Sequence, residues 1–263
     1  MLSNLLSHRY LFLQMLKREI DQRYRGTQFG FLWAFLFPIL MLLVYTFVFG
    51  MVMRVKWGVE GQDNIAFGLI LFVGLLCHTF LAEVLTGSVS AITGSAQYVK
   101  KVVFPLEILT PLKVANGFIH MLLGVIILLA IFLITGNAIP WTIILAPVVL
   151  LPFLIFLTGA SYFISVLGVY VPDLGQVIGV LMTILLFLGP IVYPFSSVPE
   201  RLQIFVLWLN PLTVIVEQLR AVVLFGQMPN WEHLAWYTLA ASLILCLGIW
   251  FFNKTRDGFA DVI

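Results

Sequence analysis

Five cations, Arg9, Lys17, Arg18, Arg23 and Arg25, fall in the first 28 residues, and one carboxylate, Glu83, stands inside a long apolar run. A guanidinium binds phosphate or pyrophosphate through paired hydrogen bonds, so the basic array is a candidate contact for a lipid-linked phosphate. Attraction to anionic headgroups, about 1 kcal/mol per basic residue near a membrane, accounts for it equally well. A charge at the centre of a membrane helix costs roughly 2.5–3.5 kcal/mol on insertion scales, which makes Glu83 a candidate functional group. It stands near one end of its run, with His78 off its face. A hydrogen bond to a neighbouring helix, a place on a pathway and proton coupling are all open to it. His120 reads as a satisfied polar contact rather than a ligand.

Two further clusters carry charge. Lys100 and Lys101 lie in Ser95–Phe104, a polar segment too short to form a stable helix alone; with Gln97, Tyr98 and Val99 it reads as a docking element for a cytoplasmic motor, or as a connecting loop. Glu217 and Arg220 are three apart on a short apolar helix and can pair. Phe35, Tyr45, Phe49, Tyr193 and Phe195 offer flat faces for sliding contact with sugar rings, as they equally do for packing in a membrane. No Gly-x-x-x-x-Gly-Lys-Ser/Thr phosphate loop, His-Glu-x-x-His zinc motif or Gly-x-Ser-x-Gly elbow occurs. The sequence therefore predicts no catalytic residues, no metal site and no nucleotide hydrolysis by this chain. Cys77 and Cys246 cannot build a disulfide framework and read as two small buried hydrophobes.

The elements that position these groups are membrane helices. The chain is 62% hydrophobic and only 10% charged, whereas soluble domains carry about 25% charged residues. The small net charge of +2 gives no argument for nucleic acid. Residues 1–28 predict an amphipathic helix in the membrane interface, its apolar stripe Leu2, Leu6, Tyr10, Leu13, Leu16, Ile20 and Tyr24 opposite Gln14, Arg18, Asp21 and Arg25. It lacks the pattern of a cleaved signal peptide. Six spans are expected: 29–53 (kinked at Pro38), 66–89, 112–134, 141–170, 176–193 and 233–252. No internal repeat or linker divides them, so 1–263 reads as one all-α transmembrane domain.

Between the fifth and sixth spans, Leu202–Leu209 and Thr213–Phe225 are each too short to cross, since a span needs about 20 residues. Residues 198–225 therefore read as two re-entrant helices turning back at Pro211. Broken backbone at membrane depth is tolerated only inside protein or against a watery cavity, which makes this region a candidate pathway mouth. With a cytoplasmic N-terminus, the inner segments hold Arg9, Lys17, Arg18, Arg23, Arg25, Lys100, Lys101, Lys113, Lys254 and Arg256. The outer segments hold only Arg54, Lys56, Arg201 and Arg220. The positive-inside rule then puts both termini in the cytoplasm and the re-entrant pair outside.

Five stretches, taken in order, are similar to one family. They are Leu16-Lys-Arg-Glu-Ile-Asp-Gln-Arg-Tyr-Arg-Gly26, Gly30-Phe-Leu-Trp-Ala-Phe-Leu-Phe-Pro38, Lys100-Lys-Val-Val-Phe-Pro-Leu-Glu107, Pro190-Ile-Val-Tyr-Pro194 with Asn210-Pro-Leu-Thr213, and Gly258-Phe-Ala-Asp-Val-Ile263. The chain resembles the type-2 ABC transporter permeases that export O-antigen, capsule or teichoic-acid polysaccharide. One departure is Pro172 before Asp173, where the family often carries Arg.

The resemblance implies a homodimeric pathway in a bacterial inner membrane, driven by two copies of a separate ATPase that holds ATP and magnesium. This chain itself would carry no cofactor. The substrate implied is a glycan on a lipid pyrophosphate, O-antigen foremost, and Pro194, Pro211, Glu217 and Arg220 would belong to an outer gate. An exporter of a small drug or lipid with the same architecture is the first alternative, and a motor-free channel or scaffold the second.

Overall fold

A computed structural model of the chain describes residues 7–55, 57, 64–99, 104–134 and 139–262. Among them the protein is helical, with no strands. We number the α-helices α1 Arg9–Tyr24, α2 Trp33–Tyr45, α3 Asn64–Val89, α4 Ala96–Val99, α5 Leu109–Ile134 and α6 Ala146–Tyr170, followed by α7 Leu174–Leu188, α8 Glu200–Leu209, α9 Thr213–Val223, α10 Trp231–Thr255 and α11 Phe259–Val262. Five helical stretches are long and apolar enough to cross a membrane: Gly30–Val52, Phe67–Val89, Leu106–Ile134, Trp141–Tyr170 and Trp231–Gly258. They overlap five of the six expected spans, with ends that differ by up to six residues.

The fifth expected span, 176–193, is shorter than expected. α7 stops at Leu188 after 15 residues, about 22 Å of helix against a hydrocarbon core of about 30 Å. Gly189 is extended, and Pro190 supplies no amide proton and disfavours helix in the residue before it. Apolar Ile191, Val192 and Tyr193 extend the hydrophobic run without extending the helix. The expected docking helix 95–104 is described only as far as Val99 and from Phe104. A 3-10 turn, Thr93–Ser95, leads into the single turn α4, and Lys100 and Lys101 lie outside the described residues.

The α3 helix is the axis of the bundle: 78% of its most apolar window is buried. α2, α5, α6, α7 and α9 all pack on it. The most extensive helix pair is α6 with α10, and two glycines set their distance. A Cβ on Gly159 would lie 2.6 Å from Leu245 Cα, and one on Gly248 would lie 2.4 Å from the Gly159 carbonyl oxygen. The helices touch backbone to backbone, the small-residue contact expected where lipid supplies no hydrophobic drive. Asn230 starts α10 by accepting the His233 N–H through Oδ1 at 3.1 Å. Cys77 is buried on α3, but Cys246 is exposed. It lies on the side of α10 that carries the exposed Leu243, Leu247 and Trp250, away from α6. The expectation of two buried thiols fails there.

The basic helix α1 lies against α5. Of its expected stripe, Leu16, Ile20 and Tyr24 are half-buried, while Tyr10 and Leu13 are exposed; Leu2 and Leu6 are outside the described residues. Among the described residues of the stripe, the C-terminal ones are covered by protein and Tyr10 and Leu13 are not.

α8 and α9 meet at a 93° bend. The break lies at Asn210-Pro211, and side chains complete its backbone. Asn210 Oδ1 accepts the Leu212 N–H at 3.0 Å, and its amide donates to the Leu185 carbonyl at 3.2 Å. Thr213 Oγ1 donates to the Val206 carbonyl at 2.8 Å, and the Tyr237 hydroxyl to that of Pro211 at 3.0 Å. Tyr237→Phe removes one of these bonds and is expected to cost about 1 kcal/mol, read as a lowered thermal midpoint with the helix content unchanged.

Candidate functional site

Two polar constellations sit about 20 Å apart along α3, an estimate from the thirteen residues between Ile70 and Glu83. The first gathers around Glu83. Arg23 of α1 forms an ion pair with its Oε1. His120 of α5 donates from Nδ1 to the same oxygen at 2.5 Å. With that proton on Nδ1, Nε2 is left to accept from the Tyr24 hydroxyl at 3.1 Å; the network, rather than an observed hydrogen, assigns this tautomer. Asn116 Nδ2 reaches Glu83 at 3.4 Å. Nearby, Lys113 of α5 pairs with Glu19 of α1 at 2.5 Å. Glu83 is thus the point at which the basic helix is fastened to two membrane helices.

His78 turns the other way and bonds the Met182 carbonyl of α7 at 2.8 Å. Below Glu83 the space between α2, α3 and α5 opens into a cavity of about 540 Å³, whose walls include Phe37, Met41, Tyr45, Leu75 and Met121.

The second constellation centres on Arg220 of α9, whose side chain is 1% exposed. Its Nε donates to the Ile70 carbonyl at 3.0 Å, Nη1 to Pro190 at 2.6 Å and Nη2 to Ile191 at 2.9 Å. Nη1 also meets Glu217 at 2.9 Å, and the guanidinium carbon sits 4.2 Å from the Trp57 ring centroid. The absent side chain of Gly74 makes the room, because a Cβ there would come within 2.8 Å of Nη2. The expected Glu217–Arg220 pair exists, but it is the smaller part of the site. Arg220 holds the turn after α7 to both α3 and α9.

Apart from half-buried Glu217, the described face of α9 is largely buried. α9 therefore lies in the protein interior. α8 is different, exposing Leu202, Ile204, Phe205, Trp208 and Leu209. Of the expected gate residues, Pro194 and Arg220 are buried and Pro211 and Glu217 half-buried.

The basic array is not a single surface. Arg23 is engaged by Glu83, Arg18 donates to the Tyr98 hydroxyl at 3.2 Å, and Arg9 lies over the Tyr10 ring. Lys17 and Arg25 are exposed. The Arg18–Tyr98 bond joins α1 to the expected docking segment, where Tyr98 also stacks on Phe104 with ring centroids 4.5 Å apart; Gln97 is exposed, and of Val99 only the backbone is described. The five aromatics do not converge. Tyr45 and Phe49 stack near the cavity, Phe35 packs on the core, and Tyr193 bonds the Leu188 carbonyl next to Phe195 at the far end. Sequence reasoning missed Asn116, Tyr24, Gly74 and the Glu19–Lys113 pair. One signal was available: Lys113, Asn116 and His120 recur at three and four residues on an apolar helix, a polar stripe facing something.

The sequence profile of the ABC-2 type transporter family matches residues 10–224. The chain is 30% identical, over 98% of its length and 97% of the relative's, to the O-antigen export system permease protein RfbA of Myxococcus xanthus. It is 25% identical to the protein of that name from Klebsiella pneumoniae, over 96% and 95% of the two chains. It is 26% identical to the polysialic acid transport protein KpsM of Escherichia coli, over 91% of each.

Proposed function

The chain belongs to the ABC-2 type transporter family, and on that premise we propose that it is the membrane half of an ATP-driven exporter of lipid-linked polysaccharide, O-antigen foremost. The observation that carries the reading is end-to-end similarity to permeases named for the export of two different polysaccharides. The permease sits in a bacterial inner membrane with both termini in the cytoplasm, as the distribution of Lys and Arg supports. The absence of a phosphate loop in the sequence calls for a separate ATPase, two copies per transporter. That motor grips Ser95–Phe104 and, through the Arg18–Tyr98 bond, moves α1 with it.

A second copy of the chain completes the pathway. Support comes from two helices that lean on α3 and leave an apolar face exposed. α2 and the turns on either side of it contain no buried residue. α7 turns Val177, Val180, Leu181, Ile184 and Phe187 outward. The glycan passes between the copies and leaves past Pro194 and the exposed face of α8, with Arg220 holding the scaffold under that gate.

Affinity purification of the chain from its native membrane tests this directly. We expect a co-purifying ATPase subunit and a pyrophosphate-linked glycan. An ATPase without glycan moves the reading to export of a small drug or lipid. No ATPase, under conditions where the permease dimer survives, overturns the motor-driven reading.

A further inference from the structure

The cavity between α2, α3 and α5 is graded along its length. At one end stand Arg23, Tyr24, Thr27, Glu83 and His120. At the other, Phe72 and Tyr45 close it among apolar walls. Glu83 and Phe72 are eleven residues apart on α3, about 16 Å along the axis. The polar end faces the basic helix α1 and hence the headgroup level of that leaflet. A volume of about 540 Å³ is in the range of ligand sites. Charged side chains line only the end at Arg23 and Glu83, while His78, Thr79 and Tyr45 are the polar groups along the rest of the wall. Thr79 lines the cavity yet is exposed, so the space opens at the surface of the protomer.

We propose that this cavity is a binding site for an anionic glycerophospholipid of the leaflet carrying α1, with one acyl chain in the cavity and its phosphate on Arg23. Among the described residues only Nη1 of that guanidinium is engaged, by Glu83 and near His120. Nη2 and Nε are left to a phosphate, and the Arg23 side chain is 47% exposed. Because Glu83 balances Arg23, the preference for an anionic head comes from the exposed Lys17 and Arg25 on the same helix. The lipid would wedge α2 away from α3 and α5 along the half of its length nearer α1. The site lies inside one protomer and does not depend on what the transporter exports.

The test uses the full-length permease in phosphatidylcholine vesicles free of glycan, with a phosphatidylglycerol probe carrying a diazirine at its acyl terminus. Illumination is expected to label peptides of α3 and α5 around Leu75 and Met121, saturably. Thr79→Trp fills the space from an exposed position and should remove about nine-tenths of that label, while Thr79→Val, which leaves the space open, should keep it. Ala34→Phe fills it from the opposite wall and guards against a fault peculiar to one variant. Unlabelled phosphatidylglycerol should compete better than phosphatidylcholine. Labelling that ignores both filling variants, or spreads evenly onto lipid-facing Leu243 and Leu247, overturns the site. Displacement by polyprenyl phosphate at lower concentration than by phosphatidylglycerol overturns the phospholipid assignment and gives the cavity to a lipid carrier.

Discussion

Arg220→Ala is expected to lower the stability of the folded permease by about 3–5 kcal/mol, the loss typical when one partner of a buried charged site is removed. The reason lies in what the guanidinium touches. Pro190 and Ile191 fall in the turn after α7, where no helical amide serves their carbonyls, and each unpaired carbonyl at membrane depth costs several kcal/mol. Arg220 binds both and ties them to Ile70 on α3. Lysine carries the charge but not the planar fork, so Arg220→Lys should fall between wild type and alanine. Glu217 is 34% exposed, and Glu217→Gln leaves the three carbonyl contacts intact, so its cost should stay near 0.5–1.5 kcal/mol. Thermal unfolding in lipid discs, with limited proteolysis in α8 and α9, reads all three. Equal losses for Glu217→Gln and Arg220→Ala would show that the ion pair, not the carbonyls, holds the turn.

What the sequence made legible followed from physics that is local to a run of residues. Apolar runs of 20 or more read as membrane helices, and five such runs are long apolar helices whose ends fall within six residues of the expected ones. Pro147 did not obscure the fourth, because it falls in the first turn of α6, where its missing amide proton is harmless. The break at Asn210-Pro211 was readable for the same kind of reason. The end of α7 was not, because Ile191, Val192 and Tyr193 keep the hydropathy high after Gly189-Pro190 has ended the helix.

The sites were harder to read than the spans. Glu83 stood out as a charge in an apolar run, yet Arg23 and His120 are 60 and 37 residues away in sequence, and no local pattern names them. Arg220 announced its Glu217 partner by an interval of three. Its main partners were hidden, since a backbone carbonyl carries no side-chain signature and Gly74 contributes only by being small. The burial of α9 belongs to tertiary packing alone: a short apolar helix reads the same whether it faces a pore or the core.

Glu83→Ala is expected to reduce export at least about tenfold, equivalent to about 1.4 kcal/mol on the limiting step, and to weaken the fold by about 1–3 kcal/mol. Among the described residues, α1 is held to the membrane bundle by Arg23 to Glu83 and His120, Tyr24 to His120 and Glu19 to Lys113. Removing Glu83 breaks the Arg23–Glu83 pair and leaves His120 without the acceptor that sets its tautomer, so the Tyr24 link loosens with it. If the motor acts on α1 through the docking segment, a loosened joint lets α1 move without α3 and α5, and the stroke is lost. Half of Arg23 is exposed, so water recovers part of its charge, and the stability loss should stay below that of Arg220→Ala. Glu83→Gln retains an acceptor for both donors and should show an intermediate defect. The decisive measurement is a double-mutant cycle with Arg23→Gln, read both by thermal unfolding and by export. A contact of this kind couples by about 0.5–3 kcal/mol, so the double variant should be little worse than Glu83→Ala. Strict additivity in both readouts would mean that Arg23 and Glu83 act separately, and would remove the joint from the path between motor and membrane helices.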